Sequence, residues 1–278
     1  IFLLPLWTMN ELHKNIKELE ELDIRSLLWK YFLPAFTGVV VNALYNIVDR
    51  IFIGRGVDAL ALSGLSAVFP LMLIIFAFGM LVAIGANVRI SIKMGKKDYK
   101  QAEQVLGNAV TLGIIISALL TLFGYIYRYP LLQMFGAGEG AMPYALEYFE
   151  YILFANLFAT MGFILNNVCR AEGNPKTAMY SLFISAGTNT VLDPILIFGF
   201  DMGVKGAAIA TIIAQFVLCI WVISHFYSKR SVLKLHLNNL RLNKQIIYHI
   251  ITIGFAPFSM QLAASGVQAV LNTQLIRY

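Results

Sequence analysis

Residues 177–200 read TAMYSLFISAGTNTVLDPILIFGF, an apolar run that contains a single carboxylate, Asp193. At 1.5 Å per residue a helix of this length crosses the roughly 30 Å hydrocarbon layer of a bilayer. Residues 31–54 form a similar run around Asp49, and these two are the only acidic residues, of 15 in the chain, that lie well inside long apolar runs. An intramembrane carboxylate costs about 3 kcal/mol or more unless it has a partner, water or a proton. The sequence therefore predicts membrane helices with a functional polar site.

The overall composition is that of a polytopic membrane protein. The chain is 59% hydrophobic and 13% charged, and its mean hydropathy is +0.72, whereas soluble domains are about 25% charged. The net charge of +6 does not indicate nucleic-acid binding, because the basic residues lie in short loops and not on one face. We predict an all-α integral membrane fold embedded in the lipid bilayer.

Seven apolar segments are long enough to span the membrane. They are Tyr31–Gly54, Leu62–Ser91, Val105–Tyr127, Tyr144–Cys169, Thr177–Phe200, Val204–Phe226 and Ile246–Ile276. With the N-terminus inside, the inner segments hold sixteen basic residues and the outer loops three. The positive-inside rule therefore predicts a cytoplasmic N-terminus in a multi-pass protein of the cell membrane.

The predicted domains follow from these spans. Residues 1–30 form a leader with an amphipathic surface segment, 31–227 a six-helix lobe, 228–245 a basic cytoplasmic loop, and 246–278 the first helix of a second lobe. Pro257 precedes Asn272 by the same fifteen residues that separate Pro34 from Asp49. Because six spans separate the two copies, both run in the same direction, as in parallel transporter repeats. We expect a chain truncated after its seventh transmembrane helix.

Polar residues recur at helical spacing on three spans, which places them on single helix faces. The first span carries such a stripe that ends at Asp49, the fifth pairs Asn189 with Asp193, and the sixth pairs Thr211 with Gln215. Structural stripes that join helices are the alternative. The candidates for cavity lining are Asn42, Tyr45, Asn46, Gln215 and Gln261.

Helix rise predicts that three of these groups meet at one depth. Asp49 lies roughly 27 Å and Asp193 roughly 24 Å above the cytoplasmic start of its span, and Thr211 lies roughly 10 Å below the outer end of its own. Two carboxylates with amide and hydroxyl oxygens can bind Na⁺, or they can share a proton. Both remain open. Pro194 frees the carbonyl of Thr190 from its helical hydrogen bond, so we predict a flexible point there.

Three motifs together resemble one transporter family. They are the run RAEGNPK at 170–176, the triplet LDP at 192–194, and the run GVKGAAIAT at 203–211. This pattern is similar to that of the multidrug and toxic compound extrusion (MATE) transporters. The resemblance implies twelve helices in two six-helix lobes around a cavity, with alternating access and cation-driven export of drugs. It also implies a proton or Na⁺ site at Asp49, Asn189, Asp193 and Thr211, and a hinge at Pro34.

Other functions are less well supported by the sequence. A flippase for lipid-linked oligosaccharides, within the same superfamily, needs a basic cavity, whereas the first span carries an acidic, amide-rich stripe. An intramembrane enzyme needs a catalytic set such as paired aspartates, and none occurs; Ile90 stands where a P-loop needs its first glycine. We therefore expect a transporter and not an enzyme, with no cofactor besides the coupling ion. Small, drug-like organic cations are the expected substrates, and the oligomeric state is open.

Overall fold

The computed structural model describes residues 23–56, 59–228 and 230–277, and it contains helices and loops but no strand within these ranges. The all-α prediction is confirmed. The description excludes the side chains of residues 27, 30, 31, 42, 45, 46, 49, 50, 53, 55, 56, 59, 273 and 275–277.

Eight α-helices make up the described fold, joined by short connections. They are α1 (Ile24–Gly56), α2 (Ala59–Gly95), α3 (Tyr99–Ile126), α4 (Arg128–Met134), α5 (Met142–Ala171), α6 (Pro175–Pro194), α7 (Gly203–Tyr227) and α8 (Lys244–Arg277). Six of these, α2, α3 and α5–α8, are long and apolar enough to cross a membrane, counting only described residues. The apolar stretch counted in α1 is shorter, 32–41.

The helices differ from the predicted spans chiefly at the start of α1, at the start of α3, which is Tyr99 and not Val105, and at α4. Helix α1 begins at Ile24 and not at Tyr31, because no glycine or proline interrupts the sequence between them. Residues 1–22 lie outside the described residues, so the predicted leader is not tested. Helix α4 is a seven-residue helix that the sequence reading treated as part of an outer loop.

The fifth span is not one uniform helix. Helix α6 ends at Pro194, and Ile195–Gly199 continues as a π-helical turn. Proline has no N–H to donate to the carbonyl one turn earlier, and π-turns commonly form where the ordinary ladder is broken. The change of helix type therefore occurs at the predicted flexible point, directly after Asp193.

Two large apolar clusters form most of the core, one toward each end of the helices, and a small third one contains Ile197 and Ala207. The first lies where α2, α5 and α7 end and α8 begins, an end called here the linker end; Ile90, Leu106, Ile164 and Phe226 are among its fully buried members. The second lies at the opposite end, around Phe149. Buried Asn156 bonds α5 to α3 between the two ends, which is typical of polar groups that join membrane helices.

Helices α2 and α8 pack antiparallel along a seam in which two glycines are required. A Cβ on Gly85 would lie 2.0 Å from the carbonyl oxygen of Ile250, and one on Gly254 would lie 1.9 Å from that of Leu81. Because backbone meets backbone, no side chain larger than hydrogen fits at either position.

The same seam is hydrogen-bonded toward the opposite end. Ser265 Oγ donates to the carbonyl of Pro70 at 2.8 Å, and Asn272 Nδ2 donates to the carbonyl of Ser66 at 2.6 Å. The polar residue that aligned with Asp49 in the sequence repeat, Asn272, therefore bonds to a neighbouring helix.

Candidate functional site

Three of the predicted site residues meet where α6 and α7 pack together. Asn189 Nδ2 lies 3.3 Å from Asp193 Oδ1 on the same helix and 3.5 Å from Thr211 Oγ1 on the next. Asp193 is fully buried and Asn189 is 2% exposed. A single amide group therefore contacts both the buried carboxylate and the hydroxyl, which we call the amide cluster (Asn189, Asp193 and Thr211).

The chain brings α7 back against α6 through a tight connection. Asp201 and Gly203 both have positive φ, 54° each, at the turn into α7. A Cβ on Gly206 would lie 2.8 Å from the carbonyl carbon of Leu196, so the first turn of α7 rests directly on the π-helical turn. Thr211, two turns further along α7, then faces Asn189.

The amide cluster supplies oxygen atoms of the kind that bind hard cations. Asp193 contributes a carboxylate and Thr211 a hydroxyl. The carbonyl oxygen of Asn189, Oδ1, is buried and has no hydrogen-bond partner among the described residues. A buried polar atom without a partner is unusual in proteins. The donor set therefore fits a Na⁺ ion, and a proton on Asp193 fits it equally well.

The first-span residues are only partly described. Helix α1 carries Asn42, Tyr45, Asn46 and Asp49 and packs against α6, but these four side chains lie outside the described residues. Their assignment to the site and to the cavity therefore stays a prediction. Pro34 is buried, and α1 continues through it as one helix.

A cavity of about 440 Å³ lies beside the amide cluster. Its lining comes from α2, α5, α6, α7 and α8, and none of the described lining residues is ionisable. Phe69, Phe76 and Phe163 supply aromatic surface. The polar lining residues are Asn156, Thr160, Asn166, Ser185, Thr211, Gln215 and Gln261.

Thr211 belongs to both the cavity wall and the amide cluster. Gln215 and Gln261, two of the candidates for cavity lining, do line this cavity. The sequence reading missed Ser185, which stands one turn before Asn189 on α6. Its position four residues from Asn189 continues the same helix face and could have identified it.

Comparison with known proteins identifies the family. The MatE family model matches residues 34–195, more than half of the chain. The multidrug export protein MepA of Staphylococcus aureus (strain MRSA252) is 29% identical over 259 residues, which cover 93% of this chain and 57% of that protein. The MepA protein of Staphylococcus saprophyticus is 29% identical over 248 residues, 89% of this chain and 55% of that protein.

Solved structures agree with the sequence comparison. The MATE multidrug transporter DinF-BH is 35% identical with a TM-score of 0.87, over 91% of this chain and 57% of that one. An outward-facing multidrug resistance MATE family transporter of the MOP superfamily is 26% identical with a TM-score of 0.82, over 88% of this chain and 54% of that one. The chain thus spans little more than half the length of these relatives. It belongs to the MatE family, the multidrug and toxic compound extrusion transporters.

Proposed function

We propose that the protein exports small organic cations across the cell membrane in exchange for Na⁺ or H⁺. The observation that carries this proposal is the double role of Thr211, which lines the apolar cavity and lies within 3.5 Å of Asn189. A change at the buried carboxylate can therefore reach the cavity wall through one amide side chain. The multidrug export function of the MepA relatives supports the same direction of transport.

The cavity favours drug-like organic cations as substrates. Its volume of about 440 Å³ lies in the range of small-molecule sites, about 300–1,000 Å³. Phenyl faces attract cations and apolar rings, and the amides offer adaptable hydrogen bonds. A flippase for lipid-linked sugars would need cationic side chains for a pyrophosphate, and the described lining has none.

Coupling follows from the cost of a buried charge. A cation or a proton bound at Asp193 changes the charge of a fully buried carboxylate, and charge in such a position is costly unless it is balanced. Binding of either one changes the hydrogen bonding of Asn189, because its Nδ2 contacts both Asp193 and Thr211. The ion, bound at Asp193, and the drug, bound beside Thr211, therefore each favour a position of the Asn189 side chain. Coupling between two sites requires such a contact, one that differs between the bound states.

The orientation and the second carboxylate complete the proposal. The excess of basic residues in alternate loops supports a cytoplasmic N-terminus. Asp49 lies on α1, which packs against α6, and we propose that it is the second carboxylate of the ion site.

Transport by reconstituted protein tests this function. The full-length protein is reconstituted into proteoliposomes, and export of ethidium is measured with Na⁺ and pH gradients imposed separately. We expect one of the gradients to drive export in wild type, and Asp49→Asn and Asp193→Asn to abolish it. Asp201→Asn is the matched control, because it makes the same change at an exposed turn whose positive φ asparagine tolerates. If Asp49→Asn and Asp193→Asn both export ethidium with the same cation dependence as wild type, the proposal is wrong.

A further inference from the structure

A second buried carboxylate, Glu172, lies at the linker end, just before the start of α6, whereas Asp193 lies at the other end of that helix. Glu172 caps the C-terminal end of α5 and is 2% exposed. Its Oε1 accepts a hydrogen bond from Nε2 of buried His225 on α7. The other oxygen, Oε2, accepts from Ser231 Oγ at 2.8 Å and from the backbone N–H of Leu233 at 3.3 Å. Glu172 thus joins two helices to the connection that follows α7.

A third helix holds the next part of this connection. Glu103 on α3 accepts from the backbone N–H of Lys234 at 3.0 Å, and His236 Nε2 lies 3.8 Å from its other oxygen. The Lys234 ammonium donates to the carbonyl of Ser228. Burial lowers the pKa of Lys234, and the nearby carboxylates of Glu172 and Glu103 offset part of that shift.

The last part of the connection is bound to a buried asparagine on α3. Asn108 Nδ2 donates to the carbonyl of Arg241 at 3.2 Å, and its Oδ1 accepts from the backbone N–H of Asn243 at 2.6 Å. Thr111 Oγ1 donates to the carbonyl of Leu240 at 2.8 Å. The segment from Ser231 to Asn243, called here the strap, is therefore bonded to the six-helix lobe from end to end.

The contacts of Glu172 favour a structural anchor over a metal site. Ligand atoms of Cys169, Glu172 and His225 lie within 4.8 Å of one another, which is close enough for a metal ion. Both carboxylate oxygens, however, already accept from protein donors, and a metal would displace those bonds. One oxygen is bonded to α7 and the other to the strap, so both already have structural partners.

We propose that Glu172 is a positioning residue which fixes the strap to the six-helix lobe, so that movement of the second lobe starts at Asn243–Lys244. This proposal rests on the proposed function, because it assumes lobes that move during transport. A loop that was free along its length would absorb such movement. A bonded strap instead passes it to the first turn of α8, which packs along α2.

Hydrogen exchange in the purified protein tests the anchor without reference to transport. In Glu172→Ala we expect amides 231–233 to exchange at least about tenfold faster, since the hydrogen bonds to the carboxylate are lost. The amide of Lys234 keeps its bond to Glu103. Amides 239–243 should stay at the wild-type rate, because Asn108 holds them. Glu139→Gln, at an exposed loop position, is the control. If Glu172→Ala does not fold, Ser231→Ala removes only one donor and should accelerate the same amides less strongly.

Export assays then test the positioning role. We expect Glu172→Ala to lower the kcat of ethidium export about tenfold and to leave its KM within about twofold, because no cavity residue changes. Two results would overturn the proposal: exchange of amides 231–233 at the wild-type rate in Glu172→Ala, or a wild-type kcat in a variant whose amides 231–233 exchange faster. A wild-type protein that exports under neither gradient overturns the proposed function, while the exchange experiment still decides whether Glu172 anchors the strap.

Discussion

The α2–α8 seam allows a quantitative prediction, because its closest approach is between two backbones. In Gly254→Ala the new methyl group would lie 1.9 Å from the carbonyl oxygen of Leu81 and 2.7 Å from its carbonyl carbon. Ordinary van der Waals contact begins at 3.4 Å, so α2 and α8 must separate by about 1.5 Å at this level. No rotamer change can relieve the contact, since the position of a Cβ is fixed by its own backbone and the atoms that it meets belong to the backbone of Leu81.

The cost follows from overpacking and from lost contacts along the seam. Insertion of a methyl group into a packed site costs about 1–3 kcal/mol, and a gap of about 1 Å already loses up to half of each dispersion contact. We therefore expect about 3 kcal/mol of destabilisation. At ~2–4 °C per kcal/mol for chains of this size, the Tm should fall by about 6–12 °C.

Thermal unfolding in detergent at one scan rate measures this effect. Gly266→Ala is the matched control, because it lies on the same helix and its Cβ would meet no atom within 4 Å. The gain in helix propensity, about 1 kcal/mol, is common to both variants, so their difference isolates the clash. Equal Tm values for the two variants would refute the packing argument.

Three further substitutions test other contacts. Asn166→Leu removes the hydrogen bonds from α5 to the carbonyl of Ala178 and to Ser181 Oγ, and the free energy of unfolding in denaturant should fall by about 1–3 kcal/mol. Gly206→Ala places a methyl group against the π-helical turn, so ethidium affinity measured by fluorescence titration should weaken as Thr211 moves. Glu150→Gln breaks a half-exposed ion pair with Arg128. Its free energy of unfolding in denaturant should therefore change by no more than about 1 kcal/mol. If Glu150→Gln lowered the free energy of unfolding as much as Asn166→Leu, the expectation that the buried hydrogen bonds stabilise the fold more than the exposed ion pair would be wrong.

The amide cluster could be predicted because its geometry is mostly local. A spacing of four residues places Asn189 and Asp193 on one face of any α-helix, and helix rise fixes their depth. The contact with Thr211 needed only the expectation that consecutive spans pack together. The break after Asp193 was also predictable, since Pro194 lacks an N–H, although the π-helical form of the turn was not.

The seam and the strap could not be predicted from the sequence. Glu172 bonds to Ser231 and Leu233, residues 59 and 61 positions away, and no periodic pattern relates them. Gly85 and Gly254 stand in ordinary apolar runs, and their role depends on which helices become neighbours. A loop rich in basic residues predicts a cytoplasmic side, but it does not reveal that the backbone is bonded to α3.

The proposed coupling role of Asp193 is tested most directly by comparing uphill and downhill transport in one variant. Asp193→Asn in proteoliposomes should lose ethidium accumulation driven by the coupling-ion gradient, because the buried amide has no negative charge to attract a cation and cannot take up the coupling proton. The same vesicles should still exchange ethidium down its own gradient, since the cavity lining is unchanged. Gradient-driven accumulation by Asp193→Asn at the wild-type rate would contradict the account.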